Sequence, residues 1–377
     1  MTTLYIHIGT PKTGTTSLQL ALHRSGRALK AQGAVYPDFG LRFADVDPSR
    51  NAFWLTRNGY SEETAEACFE KINALAGEYD TIILSDEILY NSVSHRPDFY
   101  RLLREHLNPQ IRIRIIVYLR RQDKYIYSWW AQQVKALRHF NFDTQTFPEF
   151  LDGRMCRKKS ALLDYRRHLQ AAIEALGKEN VLVRVYEFGR FEGGSIYTDF
   201  FGAMGLELTD DFEIPDHLTN SSLRGSVLET KRYLNAIPEF SQPEYQILTY
   251  LMRVQDDMEQ EGTLRVRNDF PKEKRLAYLE SFTESNEWVA GNLLGRQDGV
   301  LFREAVEEDS EPESEYTTAE VMEVCGRIIL AMMKENALCG KEGKQLEAIL
   351  GSRAYRIGRI ITAPARNIKK AVRKRGD

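Results

Sequence analysis

The chain has 377 residues, enough to bury one large α/β core and still carry insertions, and its 42% hydrophobic and 28% charged residues are those of an ordinary soluble globular protein. A net charge of -3 argues against generalised nucleic-acid binding, and no window reaches the roughly 20 apolar residues of a membrane span. The four cysteines, Cys68, Cys156, Cys325 and Cys339, form no C-x-x-C pair; they suggest neither a zinc site nor a disulfide framework and read as buried small hydrophobes in a reducing compartment.

Met1-Thr2-Thr3 runs straight into Leu4–Ile8, an apolar stretch ending at Gly9 that reads as a buried strand. No basic stretch with an apolar run precedes it, so the expectation is a cytoplasmic protein. After the loop Gly9-Thr10-Pro11-Lys12-Thr13-Gly14-Thr15-Thr16, the segment Ser17–Gln32 carries Leu18, Leu22 and Leu29 at helical spacing, with Gly33 as its stop. Further strands are expected at Thr81–Ser85, Ile111–Leu119 and Val181–Tyr186, with helices at Glu62–Leu75, Phe99–His106, Tyr125–Lys135 and Leu162–Leu176. Strands alternating with helices imply βαβ units and a central parallel sheet covered on both faces. From Leu223 the pattern turns mainly helical, at Leu223–Leu234, Tyr245–Glu261 and Glu273–Leu279.

Two shifts in composition follow. Glu307–Glu315 is an acidic run interrupted by Pro312, and the tail beyond Gly351 is basic, with Arg353, Arg356, Arg359, Arg366, Lys369, Lys370, Arg373, Lys374 and Arg375. The expected organisation is an α/β domain over 1–305, an acidic linker over 306–318 and a helical extension with a basic tail over 319–377. Apolar residues such as Tyr355, Ile360, Ile361 and Ile368 interleave with the tail's charges. That pattern suits a peripheral helix at the inner face of a membrane, docking on the acidic run, or a solvated tail. Nothing in the sequence sets an oligomeric state.

A loop between a buried strand and a helix is the setting a phosphate cradle needs: backbone N–H groups at the helix start point outward and the helix dipole adds positive charge. Thr15, Thr16 and Ser17 add hydroxyl donors. The nucleoside-triphosphatase pattern places a lysine and a hydroxyl directly after its second glycine. Here Gly14 is followed by Thr15, and the lysine is Lys12, two residues before that glycine. A strand ending in Leu119-Arg120 and a serine eight residues later, Ser128, form a second element; an arginine at a strand end presents a planar fork to a phosphate. Arg121 is the alternative arginine, at a spacing of seven.

The segment Pro11-Lys12-Thr13-Gly14-Thr15-Thr16, taken with Arg120 and Ser128, resembles the sulfotransferases that use 3′-phosphoadenosine 5′-phosphosulfate (PAPS), over roughly residues 4–220. The resemblance implies a P-loop NTPase-like fold. It implies that Lys12, Thr13, Gly14, Thr15, Thr16 and Ser17 hold the 5′-phosphosulfate, and that Arg120 and Ser128 hold the 3′-phosphate. Lys12 would stabilise the leaving phosphate, and no metal is expected. Glu87 is the expected catalytic base, with Asp86 second, since Ser-x-Glu after the strand Thr81–Leu84 resembles bacterial and glycan-directed members; a helix N-terminal carboxylate is the plainer reading. His95 and His7 are lesser candidates, His7 as a packed core histidine. The acceptor would be a hydroxyl, favoured to be on a carbohydrate or polysaccharide, lined by Tyr36–Leu55 with Arg42, Arg50 and Asn51 as contacts. Trp129 and Trp130 read first as core and second as a platform for a ring; Arg157-Lys158-Lys159-Ser160 and Asn220-Ser221-Ser222 fall where a later donor-binding loop would lie, although the family's Arg-Lys-Gly signature has no match. A nucleotide kinase or other phosphoryl transferase of the same fold is the competing reading, and a non-catalytic binding protein the third.

Overall fold

Branched apolar runs that alternate in direction become strands when helices cover both of their faces. A computed structural model describes residues 1–96, 98–136, 143–215, 222–237, 244–309 and 315–338. Its five strands are β1 (Thr3–His7), β2 (Ala34–Val35), β3 (Thr81–Ser85), β4 (Arg112–Leu119) and β5 (Val181–Val185). They form one parallel sheet in the order β2-β3-β1-β4-β5, with His7 opposite Ser85 on one side and Ile116 on the other.

Between β1 and β2 lie α1 (Thr15–Arg24) and α2 (Gly26–Ala31), and between β2 and β3 lies α3 (Glu62–Leu75). The chain then adds α4 (Leu89–Val93) and α5 (Phe99–His106) before β4. Between β4 and β5 come α6 (Gln122–Lys135), α7 (Phe147–Asp152), α8 (Arg154–Ser160) and α9 (Tyr165–Leu176), and α10 (Ile196–Gly202) follows β5. The crossover from β1 runs towards one edge of the sheet, while those from β2, β3 and β4 run towards the other. Right-handed crossovers therefore put α1 and α2 on one face and α3, α5 and α9 on the opposite face.

The side chains follow that division. Tyr5, Ile83, Ile116 and Tyr118 pack with Leu18, Leu22, Leu29, Phe200 and Phe201. Leu4, Ile6, Ile82, Leu84, Ile115 and Val117 pack with Phe69, Ile72, Leu103 and Leu169. Each fully buried Leu, Ile or Phe contributes about 1.5–3 kcal/mol of transfer free energy, so both faces are needed to hold the sheet. Connections diverge at β1, which opens a crevice at the carboxyl ends of the strands beside it, the place where sheets of this kind bind ligands.

The α/β class, the strand–loop–helix unit at β1 and the helical C-terminal part are as expected. The helix expected over Ser17–Gln32 is instead two, broken at Ser25. Ser25 and Gly26 are both weak helix formers, and the Ser25 hydroxyl accepts from the Glu213 N–H (2.9 Å). Two-residue β2 was missed because it is too short to show a period.

The chain separates into two compact units that interleave in sequence. The first, Met1–Trp129, Phe150–Ser221 and Phe270–Glu308, holds the sheet together with α13 (Lys272–Glu280) and α14 (Thr283–Leu293), the latter packed on α9 and β5. The second, Trp130–Glu149, Ser222–Asp269 and Asp309–Asp377, contains α11 (Gly225–Asn235), α12 (Glu244–Gln260) and α15 (Thr318–Leu338), which pack on one another and are pinned by the Arg267–Glu320 ion pair at 2.6 Å. Among the described residues no helix is long and apolar enough to cross a membrane. Cys68, Cys156 and Cys325 are buried thiols. Cys339, the basic tail, residues 310–314 of the acidic run and Asn220-Ser221 lie outside the described residues.

Candidate active site

β1 hands directly into the loop, whose base is tied to β4. The Tyr118 N–H donates to the Gly9 carbonyl (2.7 Å), the Thr10 N–H donates to the Tyr118 carbonyl (3.0 Å), and the Thr10 hydroxyl donates to the same oxygen (3.1 Å). The Thr13 hydroxyl closes the turn by donating to the Thr10 carbonyl (2.6 Å). Gly9 (φ 107°) and Gly14 (φ 74°) occupy backbone regions that side chains avoid, and so does Lys12 (φ 70°). No side chain caps α1 at Gly14, so the N–H groups of its first turn, beginning at Thr15, are presented by the loop itself. Thr15 and Ser17 are buried and Thr16 is partly exposed. Backbone donors and a helix dipole arranged in this way can hold an anion.

The strand end of β4 supplies a cation beside it. One N–H of the Arg120 guanidinium donates to the Lys12 carbonyl (2.7 Å), and the guanidinium lies 5.7 Å from the Tyr186 ring centre. Tyr186 in turn packs under Gly14, where an added Cβ would stand 3.7 Å from its ring. Burial depresses the Arg120 pKa, a cost to its charge that an anion beside it would offset. Arg121 points elsewhere: its fork holds Asp123 at 2.8 and 3.0 Å and donates to the carbonyls of Glu304 and Ala305. Ser128 is half-buried on α6, one turn beyond Tyr125, whose phenol is within electrostatic reach of Arg120.

On the other side of β1, the turn after β3 brings the Glu87 backbone against the loop. A Cβ on Gly9 would lie 3.3 Å from the Glu87 Cα and carbonyl oxygen, so only a glycine lets the two segments approach this closely. Asp86 is fully buried and held by both arms of Arg50, at 3.1 and 2.8 Å, and it accepts from the Ile88 N–H (2.8 Å). Burial raises its pKa to about 7 against the pull of Arg50. Glu87 keeps 20% of its side chain exposed. Its Oε2 accepts from the Gln19 amide (3.0 Å) and lies 3.9 Å from the Arg50 Nε. Of the two, Glu87 is the carboxylate available to a substrate.

Three side chains read as acceptor contacts do other work. Asn51 is buried, donating to the carbonyls of Pro37 and Ile83 and accepting from the Ser85 N–H, and so braces β3. Arg50 neutralises Asp86, and exposed Arg42 pairs with Asp38 at 3.1 Å. The cleft lined by Phe39, Phe43, Asp47, Arg50 and Trp54 lies in the expected Tyr36–Leu55 stretch. His95 is exposed. His7 is fully buried, its pKa driven down to about 3, as a core histidine. Trp129 stacks on Phe150 under the Lys159 ammonium, and Trp130 is buried against Phe147. Arg157 donates to the Asp152 carbonyl and Ser160 shares a hydrogen bond with Tyr278. Gln19 was missed, although a glutamine inside the apolar stripe of α1, one turn after Thr15, is a visible signal. Among the described residues no three of His, Cys, Asp and Glu converge as a metal site.

No family model matches the chain. An uncharacterized protein of Archaeoglobus fulgidus is 27% identical over 244 residues, which is 63% of this chain; the chain spans 62% of that relative's length. The crystal structure of a sulfotransferase from Alicyclobacillus acidocaldarius is similar over 61% of this chain and 92% of its own, at 16% identity and a TM-score of 0.35. A superposition at that level transfers no residue role.

Proposed function

We propose that the protein transfers a sulfuryl group from PAPS to an acceptor hydroxyl. The observation that carries this reading is the convergence of three strand ends: the Lys12 loop after β1, Arg120 bonded to the Lys12 carbonyl after β4, and Glu87 against Gly9 after β3. The cradle of Thr13, Gly14, Thr15, Thr16 and Ser17 takes the 5′-phosphosulfate, and Arg120 with Ser128 takes the 3′-phosphate. The acceptor oxygen forms a new bond to sulfur as the bond from sulfur to the bridging phosphate oxygen breaks. Glu87 takes the acceptor's proton, Lys12 stabilises charge on the departing phosphate, and 3′-phosphoadenosine 5′-phosphate (PAP) leaves.

The acceptor is proposed to be an uncharged carbohydrate hydroxyl. Arg42 and Arg50, in the segment before β3, are already paired with Asp38 and Asp86, which favours an acceptor without charge. A peripheral membrane contact through the basic tail would suit a lipid-linked or exported polysaccharide. Calorimetry tests the donor assignment: PAP binds tighter than ATP with magnesium, and removing the 3′-phosphate weakens binding at least tenfold. Preference for ATP, or indifference to the 3′-phosphate, favours the phosphoryl-transferase reading instead.

A further inference from the structure

A hydrogen-bonded line runs from the interior of the sheet to the exposed edge of Glu87. The Gln19 amide nitrogen, on a side chain that is 1% exposed, lies 3.0 Å from Glu87 Oε2 and 3.3 Å from Ser85 Oγ. Ser85 Oγ lies 2.8 Å from His7 Nδ1. An amide nitrogen carries two hydrogens and no acceptor site, so one goes to each neighbour. Turning the amide over would set a carbonyl oxygen against a carboxylate oxygen, which repels; chemistry selects the orientation. The serine oxygen then accepts from Gln19 and sends its own hydrogen to His7 Nδ1. His7 can accept it because burial keeps the imidazole neutral.

We infer that Gln19 is a positioning residue for Glu87, holding Oε2 as an acceptor through an amide that Ser85 and, behind it, His7 keep in orientation. The inference rests on Glu87 being the base. Its chemical consequence is that a proton taken from the acceptor goes to Oε1, because Oε2 already faces a donor. The charged and titratable groups around Glu87 are Arg50 at 3.9 Å and Tyr36 from the segment after β2, Asp86 beside it, His7 behind Ser85, and Lys12 in the loop that Glu87 abuts. Gln19 donates to Oε2 at 3.0 Å, closer than the 3.9 Å approach of the Arg50 Nε.

The test uses the full chain and the near-isosteric Gln19→Met, with Ser85→Ala and Ser85→Thr as a second pair. The Glu87 carboxyl carbon is followed by carbon-13 NMR in the resting protein at one fixed pH and assigned by its loss in Glu87→Gln. In Gln19→Met its resonance moves and kcat falls about tenfold, while PAP affinity and the acceptor KM stay within about twofold. Ser85→Ala moves the resonance and lowers kcat in the same way, and Ser85→Thr, which keeps the hydroxyl, restores both. An unmoved resonance or an unchanged kcat in folded Gln19→Met, or identical behaviour of Ser85→Ala and Ser85→Thr, overturns the inference. A moved resonance in a protein that turns over no PAPS supports the pairing and overturns the functional reading instead.

Discussion

Lys12 combines two properties that a structural residue would not need: a positive φ of 70° and a place in a loop whose carbonyl is bonded by Arg120. A non-glycine side chain in that region costs roughly 1 kcal/mol, and such strain persists where function requires the side chain. Lys12→Gly is therefore expected to exceed Lys12→Ala in unfolding free energy by about 1 kcal/mol in urea titrations, while both lose turnover and donor affinity. A Lys12→Ala protein with full activity would remove the lysine from the mechanism. Glu87→Gln keeps PAP affinity and loses turnover, measured by calorimetry and by sulfate transfer from labelled donor. Arg120→Gln brings PAP affinity down towards that of adenosine 5′-monophosphate, because the fork near the loop no longer pays the 3′-phosphate's desolvation. Lys12, Arg120 and Glu87 stood out as candidates because Lys12 lies in a glycine-bounded loop between a strand and a helix, and Arg120 and Glu87 follow strands that periodicity reveals. Gln19 and the roles of Arg50 and Asn51 were not, since their partners are distant in sequence: Asp86 lies 36 residues from Arg50, Ser85 34 from Asn51 and Glu87 68 from Gln19.

The element that matters most is the β1–loop–α1 unit, held at both ends by different means. Its base is part of the sheet through Gly9 and Tyr118, and its crest is capped by a glycine that packs on Ile196 and Tyr186. An added Cβ at Gly14 would stand 3.0 Å from the Ile196 Cδ1 and would sit at φ 74°. Gly14→Ala is expected to cost about 1–2 kcal/mol in chemical denaturation and to weaken PAP binding more than tenfold, since the N–H groups of the first turn move with the cap. Strands and helices with a clear period were read within a few residues, as Glu62–Leu75 and Thr81–Ser85 show. The break at Ser25 and the short β2 escaped because contacts made elsewhere in the fold, to Glu213 and to β3, decide them.

At the scale of the whole molecule, the sheet buries a histidine, His7, with no exposed surface. Burial lowers the His7 pKa from 6.5 to about 3, so the native state holds it neutral while the unfolded chain can protonate it. Its contribution to stability is therefore fully present above pH 6.5 and is lost as pH falls towards 3. At pH 5 the loss is about 2 kcal/mol, and His168, likewise depressed by burial, adds to it. Urea unfolding at pH 7.5 and pH 5.0 measures the difference, and His7→Gln removes its own share of it.

By itself the sequence determined the kinds of element, their order, and which residues stand at strand ends, because those follow from local period and from glycine, lysine and arginine at short spacing. The tertiary structure alone decided which strand ends become neighbours. The order β2-β3-β1-β4-β5 sets β1 between β3 and β4, and that adjacency gathers Lys12, Glu87 and Arg120 from positions 12, 87 and 120 of the chain around one crevice. It also decided which polar groups are spent internally. Burial forces Asp86, Arg121 and Asn51 to find partners within the fold, and it leaves Glu87 facing outward with Gln19 behind it.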